Sequence, residues 1–362
     1  MKVALVAFWY IEYTIELANA LADLEGTEIV LFVPERLACK YSSQISSLLK
    51  LKTFKYRRMS NPINFFVISG VFLKLNKLKP SIIHVQGGNV WFNFLLPLLN
   101  KQSKLIVTIH DVTPHEGDKM TSILPLRERI IRFADGFIVH GNKIKDEFIR
   151  KYKADLKKVA VIPHGEFSIF SRIDNQLIEE EEATVLFFGR ILEYKGLQYL
   201  IKAEPLIKKE IPNIKICIAG EGELLKEYEK LIVNRTSFEI INSYIDNNKV
   251  SQLFQKCCLV VLPYIEASQS GIVPIAYAFK KPVIATSVGS LPEVVKDGVT
   301  GFIISPRDIN SLAEKVIFLI KNKEKRLLMG KNSFHMTKNE LSWIEVATKT
   351  LNFYKEIGII KR

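Results

Sequence analysis

Short, nearly continuous apolar runs rich in β-branched residues recur along the chain, with longer amphipathic stretches between them. In the first half they fall at residues 3–8, 29–33, 82–85, 105–109, 136–139 and 159–162, and in the second at 185–188, 214–219, 238–241, 259–262, 283–286 and 301–304. An unbroken apolar run suits a strand covered on both faces, as in a parallel sheet; a half-exposed strand would alternate. Helical stretches between successive runs make right-handed βαβ units. Six strands in each half predict an α/β chain of two similar, doubly wound domains facing across a cleft. Such folds bind ligands beyond the carboxyl ends of their strands, where helix N-termini turn free N–H groups toward anions. Chemistry is therefore to be sought just after each run.

Composition agrees with this division. The chain has 362 residues, 48% hydrophobic and 25% charged, a globular balance that excludes disorder, collagen and coiled coil. A polar stretch at 171–183, holding the four consecutive acids Glu179 to Glu182, reads as a solvated linker or edge. It separates an N-terminal domain, 1–170, from a C-terminal one, 171–342. Segment 341–357 carries Trp343, Val346, Leu351 and Tyr354 at helical spacing; its period leaves open which domain it packs on. The apolar runs at 63–73 and 90–99 are shorter than the roughly 20 residues of a membrane-spanning helix. Residues 1–8 read as a strand with no cleavable signal before them. The four cysteines form no CxxC pair and lie in apolar runs, which predicts buried thiols in a reducing cytoplasm and no zinc site.

Net charge is +13, unevenly placed: from Arg36 to His110 there are twelve Lys or Arg and no Asp or Glu. Either this is a solvated face of a Lys-rich chain or something negatively charged visits it, an anionic membrane before nucleic acid, for which no recognition motif is present. Within it, Asn61 and Pro62 open a helix carrying Phe65, Phe66, Val71, Phe72 and Leu75, then Lys74, Lys77 and Lys79. It reads either as a helix packed on the sheet or as an interfacial helix on anionic lipid.

Three turns carry candidate chemistry. After the run at 185–188 comes Gly189-Arg190-Ile191-Leu192-Glu193-Tyr194-Lys195-Gly196, two cations five apart and framed by glycines. An Arg fork and a mobile Lys point charge make a clamp for a diphosphate. Gly220-Glu221-Gly222 follows the next run, and by itself a G-x-G is only a tight turn. The third block runs Pro263-Tyr264-Ile265-Glu266-Ala267-Ser268-Gln269-Ser270-Gly271-Ile272-Val273-Pro274. Its Ser270 and Gly271 would let backbone amides approach an anion where a helix begins.

Continuing through Lys281-Pro282-Val283-Ile284-Ala285-Thr286, Gly289-Ser290-Leu291-Pro292-Glu293 and Asp297-Gly298-Val299-Thr300-Gly301, the series resembles the donor-binding domain of retaining glycosyltransferases of family 4, which have the GT-B fold of two Rossmann-like domains. The first half matches through Thr108-Ile109-His110-Asp111 and 161–165, and Ser342-Trp343 resembles the start of the family's last helix, which would pack 343–362 back on the first domain. The resemblance implies transfer of a sugar from a nucleotide-diphosphate sugar to a hydroxyl of a glycan or lipid-linked acceptor, in polysaccharide or lipid-linked glycan assembly on the cytoplasmic face. No metal or other cofactor is implied. Arg190 and Lys195 would hold the diphosphate together with Gly189, Gly220, Gly222 and the amides of Gln269, Ser270, Gly271 and Ile272. Tyr244 and Ile245 match the loop at the base. His110 matches a histidine near the transferred sugar, and Glu266 the first of two family glutamates, within one residue.

The second glutamate would fall on Ile275 or Ala276, so that carboxylate is missing, and a glycine pair usual after the first strand is replaced by Phe8-Trp9-Tyr10. Two rivals remain: a GT-B nucleotide-sugar epimerase, and a non-catalytic nucleotide-binding scaffold. His84 reads as a strand-end histidine, and His115, His140, His164 and His335 as structural or surface residues.

Overall fold

The computed structural model describes residues 1–113, 124–167, 170 and 178–359. His115 and most of the polar stretch, 171–177, lie outside the described residues. The described chain divides into two compact units, one of residues 1–113, 124–165 and 343–359, the other of 166–167, 170 and 178–342.

The first unit is a seven-stranded, wholly parallel sheet in the order β3-β2-β1-β4-β5-β6-β7. Its strands are β1 (Lys2–Ala7), β2 (Glu28–Pro34), β3 (Lys50–Phe54), β4 (Ile82–Gln86), β5 (Lys104–Ile109), β6 (Gly136–Val139) and β7 (Val159–Val161). Its helices are α1 (Ile11–Ala22), α2 (Glu35–Lys40), α3 (Ile63–Leu78), α4 (Val90–Leu95), α5 (Leu124–Phe133) and α6 (Asn142–Tyr152). Alternate residues of β1 serve opposite faces. Val3, Leu5 and Ala7 pack with α1, whereas Ala4, Val6 and Phe8 pack with α3, α4 and α6. Six apolar runs were expected here, and the seventh strand, β3, is a correction. Its sequence Lys-Leu-Lys-Thr-Phe is exposed at every position but Phe54, because an edge strand pairs on one side only and needs no apolar run. Cys39 is a second correction: it is exposed on α2, which turns Ala38 inward, while Cys217, Cys257 and Cys258 are buried.

The second unit is a six-stranded parallel sheet, β10-β9-β8-β11-β12-β13. Its strands are β8 (Thr184–Phe188), β9 (Lys215–Ala219), β10 (Phe238–Ile241), β11 (Leu259–Leu262), β12 (Val283–Thr286) and β13 (Gly301–Ile304). They alternate with α7 (Leu197–Glu210), α8 (Leu225–Glu229), α9 (Asn247–Lys256), α10 (Ile272–Ala278), α11 (Leu291–Val294), α12 (Ile309–Lys321) and α13 (Lys323–Lys338). Val185 and Phe187 of β8 face α7 and α12, and Leu186 faces α9 and α10. Where it is described, the run of acids leaves Glu179, Glu181 and Glu182 exposed, as expected, and Glu180 half-buried. Glu180 bridges two buried cations, Lys281 at 2.5 Å and Arg326 at 3.3 Å, while Glu181 pairs with Lys256 and Glu182 with Lys323. A buried cation is retained only with a countercharge, and Glu180 supplies it.

The last helix, α14 (Trp343–Ile359), belongs to the first unit. Trp343, Val346, Phe353, Tyr354 and Ile357 join the core beside Val3, Leu5 and α1. The indole of Trp343 lies so close to Gly165 that a Cβ there would stand 2.6 Å from the ring.

Four histidines are buried in this unit, three of them around Tyr13. Its ring lies 5.6 Å from His110, 5.5 Å from His140 and 4.8 Å from His164. His84 shares hydrogen bonds with Tyr354 Oη at 2.6 Å and Thr108 Oγ1 at 2.7 Å, and His140 Nδ1 donates to the Ile162 carbonyl at 2.9 Å. Burial disfavours the imidazolium form, taking His84 and His164 down to about 3 and His140 to about 4. An unfolded histidine titrates near 6.5, so below that pH the unfolded chain binds more protons and acid favours unfolding. Denaturant midpoints should therefore fall as pH drops from about 6.5 toward about 4, each such histidine contributing up to about 1.4 kcal/mol per pH unit. The variant His140→Asn, whose amide can still reach the Ile162 carbonyl, should flatten that slope by about one proton; an unchanged slope in urea titrations would contradict this account.

Candidate functional site

In the second sheet β8 and β11 are neighbours although they are not consecutive. From β8 the chain runs outward to β9 and β10, and from β11 outward to β12 and β13. The order reverses between β8 and β11, and ligands of open α/β sheets bind at such a switch point. The loops after these two strands carry Arg190, Lys195 and the third block.

The backbone on either side of Arg190 is pinned. Gly189 N–H donates to the Ala219 carbonyl and Ile191 N–H to the Glu221 carbonyl, both at 2.9 Å. Gly220 sits at φ 151°, and a Cβ there would be 2.0 Å from the Gly189 carbonyl oxygen. Gly222 N–H meets Asn242 Oδ1 at 3.1 Å. Gly189, Gly220 and Gly222 thus tie the β8 and β9 turns together and leave the exposed Arg190 on a rigid base. Farther on, Gly196 takes φ 65°, where its Cβ would strike the Pro263 carbonyl oxygen at 1.9 Å. Only glycine lets the β8 loop close on the third block here. The closure is completed by Ile265 N–H donating to the Tyr194 carbonyl at 2.8 Å.

That approach seats Lys195. Its Nζ lies 3.9 Å from the centre of the Tyr264 ring and 5.2 Å from that of Tyr194. Tyr264 is fully buried, its hydroxyl 3.3 Å from Ser270 Oγ, and its carbonyl accepts from Thr286 Oγ1 at 2.6 Å. Ser270 Oγ also accepts from Ile272 N–H at 3.2 Å. The Ile272 amide, expected to face an anion, is therefore already used. Since Pro274 has no N–H, the first turn of α10 offers the amides of Gly271 and Val273. Gln269 is half-buried and Glu266 exposed on the same loop. Tyr244 is exposed and Ile245 half-buried between β10 and α9. Both candidate positions of the missing glutamate, Ile275 and Ala276, are buried in the core of α10. Sequence reading passed over Tyr264; an aromatic one position before a block of polar turn residues was the available signal.

His110 belongs to the first unit, directly after β5, beside that sheet's own reversal between β1 and β4. It is 4% exposed, and its Nε2 lies 3.2 Å from Gln86 Oε1. Tyr10, left-handed at φ 55°, stacks on its imidazole with centroids 3.7 Å apart and planes at 18°. Trp9 Nε1 donates to the Gly88 carbonyl at 3.3 Å. Where the family has a glycine pair, this chain therefore sets aromatic side chains, with Phe8 packed inward against Phe54, Tyr56 and Phe92. Among the described residues no group of three or more His, Cys, Asp or Glu could hold a metal ion, and no helix is long and apolar enough to cross a membrane.

Comparison with known proteins agrees with this geometry. Residues 170–336 match the model of "Glycosyl transferases group 1" and residues 12–165 that of "Glycosyltransferase Family 4". An uncharacterized glycosyltransferase of Methanocaldococcus jannaschii is 32% identical over 48% of each chain. A capsular polysaccharide biosynthesis glycosyltransferase of Staphylococcus aureus is 26% identical over 65% of this chain and 66% of its own. The chain thus spans about half to two thirds of the length of these relatives. Among solved structures, a glycosyltransferase of Rickettsia africae superposes with a TM-score of 0.70 at 18% identity over 98% of each chain. An Anabaena protein in complex with UDP-glucose superposes with 0.72 at 18% over 97% of this chain and 99% of its own. Two doubly wound parallel sheets, glycine turns carrying Arg190 and Lys195 at a switch point and family matches over both halves lead to one conclusion: the chain belongs to the family-4 glycosyltransferases and has their GT-B fold.

Proposed function

We propose that this chain moves a sugar from a nucleotide-diphosphate sugar to a hydroxyl of a glycan or lipid-linked acceptor, with retention of anomeric configuration, in polysaccharide or lipid-linked glycan assembly. Its place would be the cytoplasmic face of a membrane. The observation that carries the reading is the Lys195 ammonium held over Tyr264 at the β8/β11 switch point. The UDP-glucose complex of a structural neighbour supports a nucleotide-sugar donor.

In this reading the bond from the anomeric carbon to the diphosphate oxygen breaks, leaving an oxocarbenium-like centre and a nucleoside diphosphate whose terminal phosphate gains the second negative charge. Arg190, Lys195 and the Gly271 amide neutralise the charge gathering on that group, and fixed positive charge in place before reaction is the strongest electrostatic lever available. The acceptor oxygen bonds to the anomeric carbon on the face the diphosphate leaves, and its proton passes to the departing phosphate oxygen. No separate base is then needed. The family resemblance assigns His110, on the first unit, to the transferred sugar. The nucleotide sugar is a substrate, and the reading calls for no resident cofactor or metal. Glu266, exposed on the clamp loop, would bond sugar or ribose hydroxyls.

Nucleoside diphosphates should raise the melting temperature of the wild type. Arg190→Ala and Lys195→Ala should each weaken that binding about 10- to 100-fold, since a hydrogen bond to a charged group contributes about 1.5–3 kcal/mol. A shift that both variants keep would remove the clamp. Replacing Tyr264 separates ring from hydroxyl: Tyr264→Phe should retain nucleotide affinity, and Tyr264→Leu should lose a few-fold to about 30-fold, the range of a cation–π contact of about 0.5–2 kcal/mol. Donor incubated alone should yield no new sugar isomer, as an epimerase would give, and proton NMR of the product should show the donor's anomeric configuration. An inverted product would overturn the retaining mechanism.

A further inference from the structure

Helix α3 is apolar on both sides. Asn64, Ile68, Val71, Phe72 and Leu75 point into the sheet core. Ile63, Phe66, Gly70, Leu73 and Lys77 follow at spacings of three and four on the opposite side. Phe66 is 75% and Leu73 71% exposed. A helix that needs only to cover a sheet presents polar residues outward, so the second apolar stripe is not explained by the fold.

The stripe continues onto neighbouring elements. Phe66 meets Phe65 at 5.5 Å, and Phe65 meets Phe94 of α4 at 6.3 Å. The Arg129 guanidinium of α5 lies 5.6 Å from the Phe94 ring and 6.0 Å from that of Phe133. At the other end of α3, Asn76 Nδ2 donates to the Leu98 carbonyl at 2.8 Å, which sets the exposed Leu98 beside the last turn. Phe94, Leu98 and Phe133 are all exposed. The result is one connected surface of aromatic and aliphatic side chains on the first unit.

Its rim is cationic. Lys74, Lys77 and Lys79 are exposed and make no ion pair among the described residues, and Arg132 is exposed on α5. The surrounding stretch from Arg36 to His110 holds no acid. Glu128 is a described acid on α5, and Asp135 is taken by Lys104 at 3.6 Å. Exposed aromatics ringed by long cationic side chains match a bilayer interface, where the rings enter the acyl boundary and ammonium groups stay at the phosphates.

We propose that the face formed by α3, α4 and α5 docks reversibly on an anionic lipid bilayer. Lipid is favoured over nucleic acid because the centre of the face is apolar, whereas a nucleic-acid surface places cations along its middle. Each lysine near such a surface raises partitioning about fivefold, and the electrostatic part vanishes once salt shortens the Debye length from about 10 Å to about 3 Å. The proposal deepens the reading of a lipid-linked acceptor but does not require it.

The test is flotation of the full chain with phosphatidylglycerol/phosphatidylcholine vesicles, with nucleoside-diphosphate thermal shift measured on every variant. The wild type should float at low salt with anionic vesicles and not with phosphatidylcholine alone. Phe66→Ser/Leu73→Ser and Lys74→Glu/Lys77→Glu should each lower partitioning at least about tenfold while keeping the thermal shift, since all four side chains are exposed. The pair Lys325→Glu/Lys331→Glu, exposed on α13 of the second unit, should change it little. Absence of flotation, an equal loss in the control pair, or no loss in the first two variants would each overturn the docking face. So would a single-stranded DNA oligomer that strips wild-type protein from vesicles and loses affinity in Lys74→Glu/Lys77→Glu. A retained thermal shift without flotation would sink the docking face and leave the donor reading intact; a lost thermal shift with intact flotation would do the reverse.

Discussion

An ammonium resting on the face of a buried tyrosine is the contact on which the second unit's loops depend. Lys195 can reach Tyr264 only because Gly196 adopts a left-handed backbone and leaves room for the Pro263 carbonyl. Placing the cation on a ring, instead of beside a carboxylate, matters for what it can do. A carboxylate would neutralise it and compete with any phosphate, whereas the quadrupole of a ring holds a cation in place and leaves its charge available. The same loops show backbone groups spent on one another: the β8 turn is tied to the β9 turn, and the β9 turn to Asn242. Backbone tied in this way gives both Arg190 and Lys195 a rigid base.

The first unit solves a different problem. Its centre collects buried histidines, and burial keeps His84, His140 and His164 uncharged at neutral pH. A neutral imidazole can give and accept hydrogen bonds in a space where an imidazolium would be costly. Tyr10 covers His110 from the strand-end side in a backbone conformation that a non-glycine residue adopts at a cost of roughly 1–2 kcal/mol. Strain of that size persists where surrounding contacts over-determine it; here these are the stacked imidazole and the loop at Gly87 and Gly88.

Much of this was legible in the residues themselves. Apolar runs located twelve of the thirteen strands among the described residues, because strands buried on both faces are largely apolar. The thirteenth, β3, is an edge strand whose exposed lysines carry no such signature. The tight turns at 189–196 and 220–222 were legible because glycine marks a backbone that must bend close to something. Tyr264 was not, since an aromatic next to a strand reads as core until the ring is seen beneath an ammonium. Three of the acids at 179–182 are exposed as read, but a charge run gives no hint that Glu180 has buried partners, since Lys281 and Arg326 stand 101 and 146 positions from it along the chain.

Sequence alone determined the class of fold, the number of units and the family, since these rest on local period and on short motifs whose spacing the covalent chain enforces. Tertiary structure alone decided where α14 packs, which amides of the α10 turn remain to be offered, and that the outward side of α3 joins Phe94 and Phe133 in one surface. Those outcomes depend on which side chains meet across long separations, and a one-dimensional pattern holds no information about a partner that is distant in the chain.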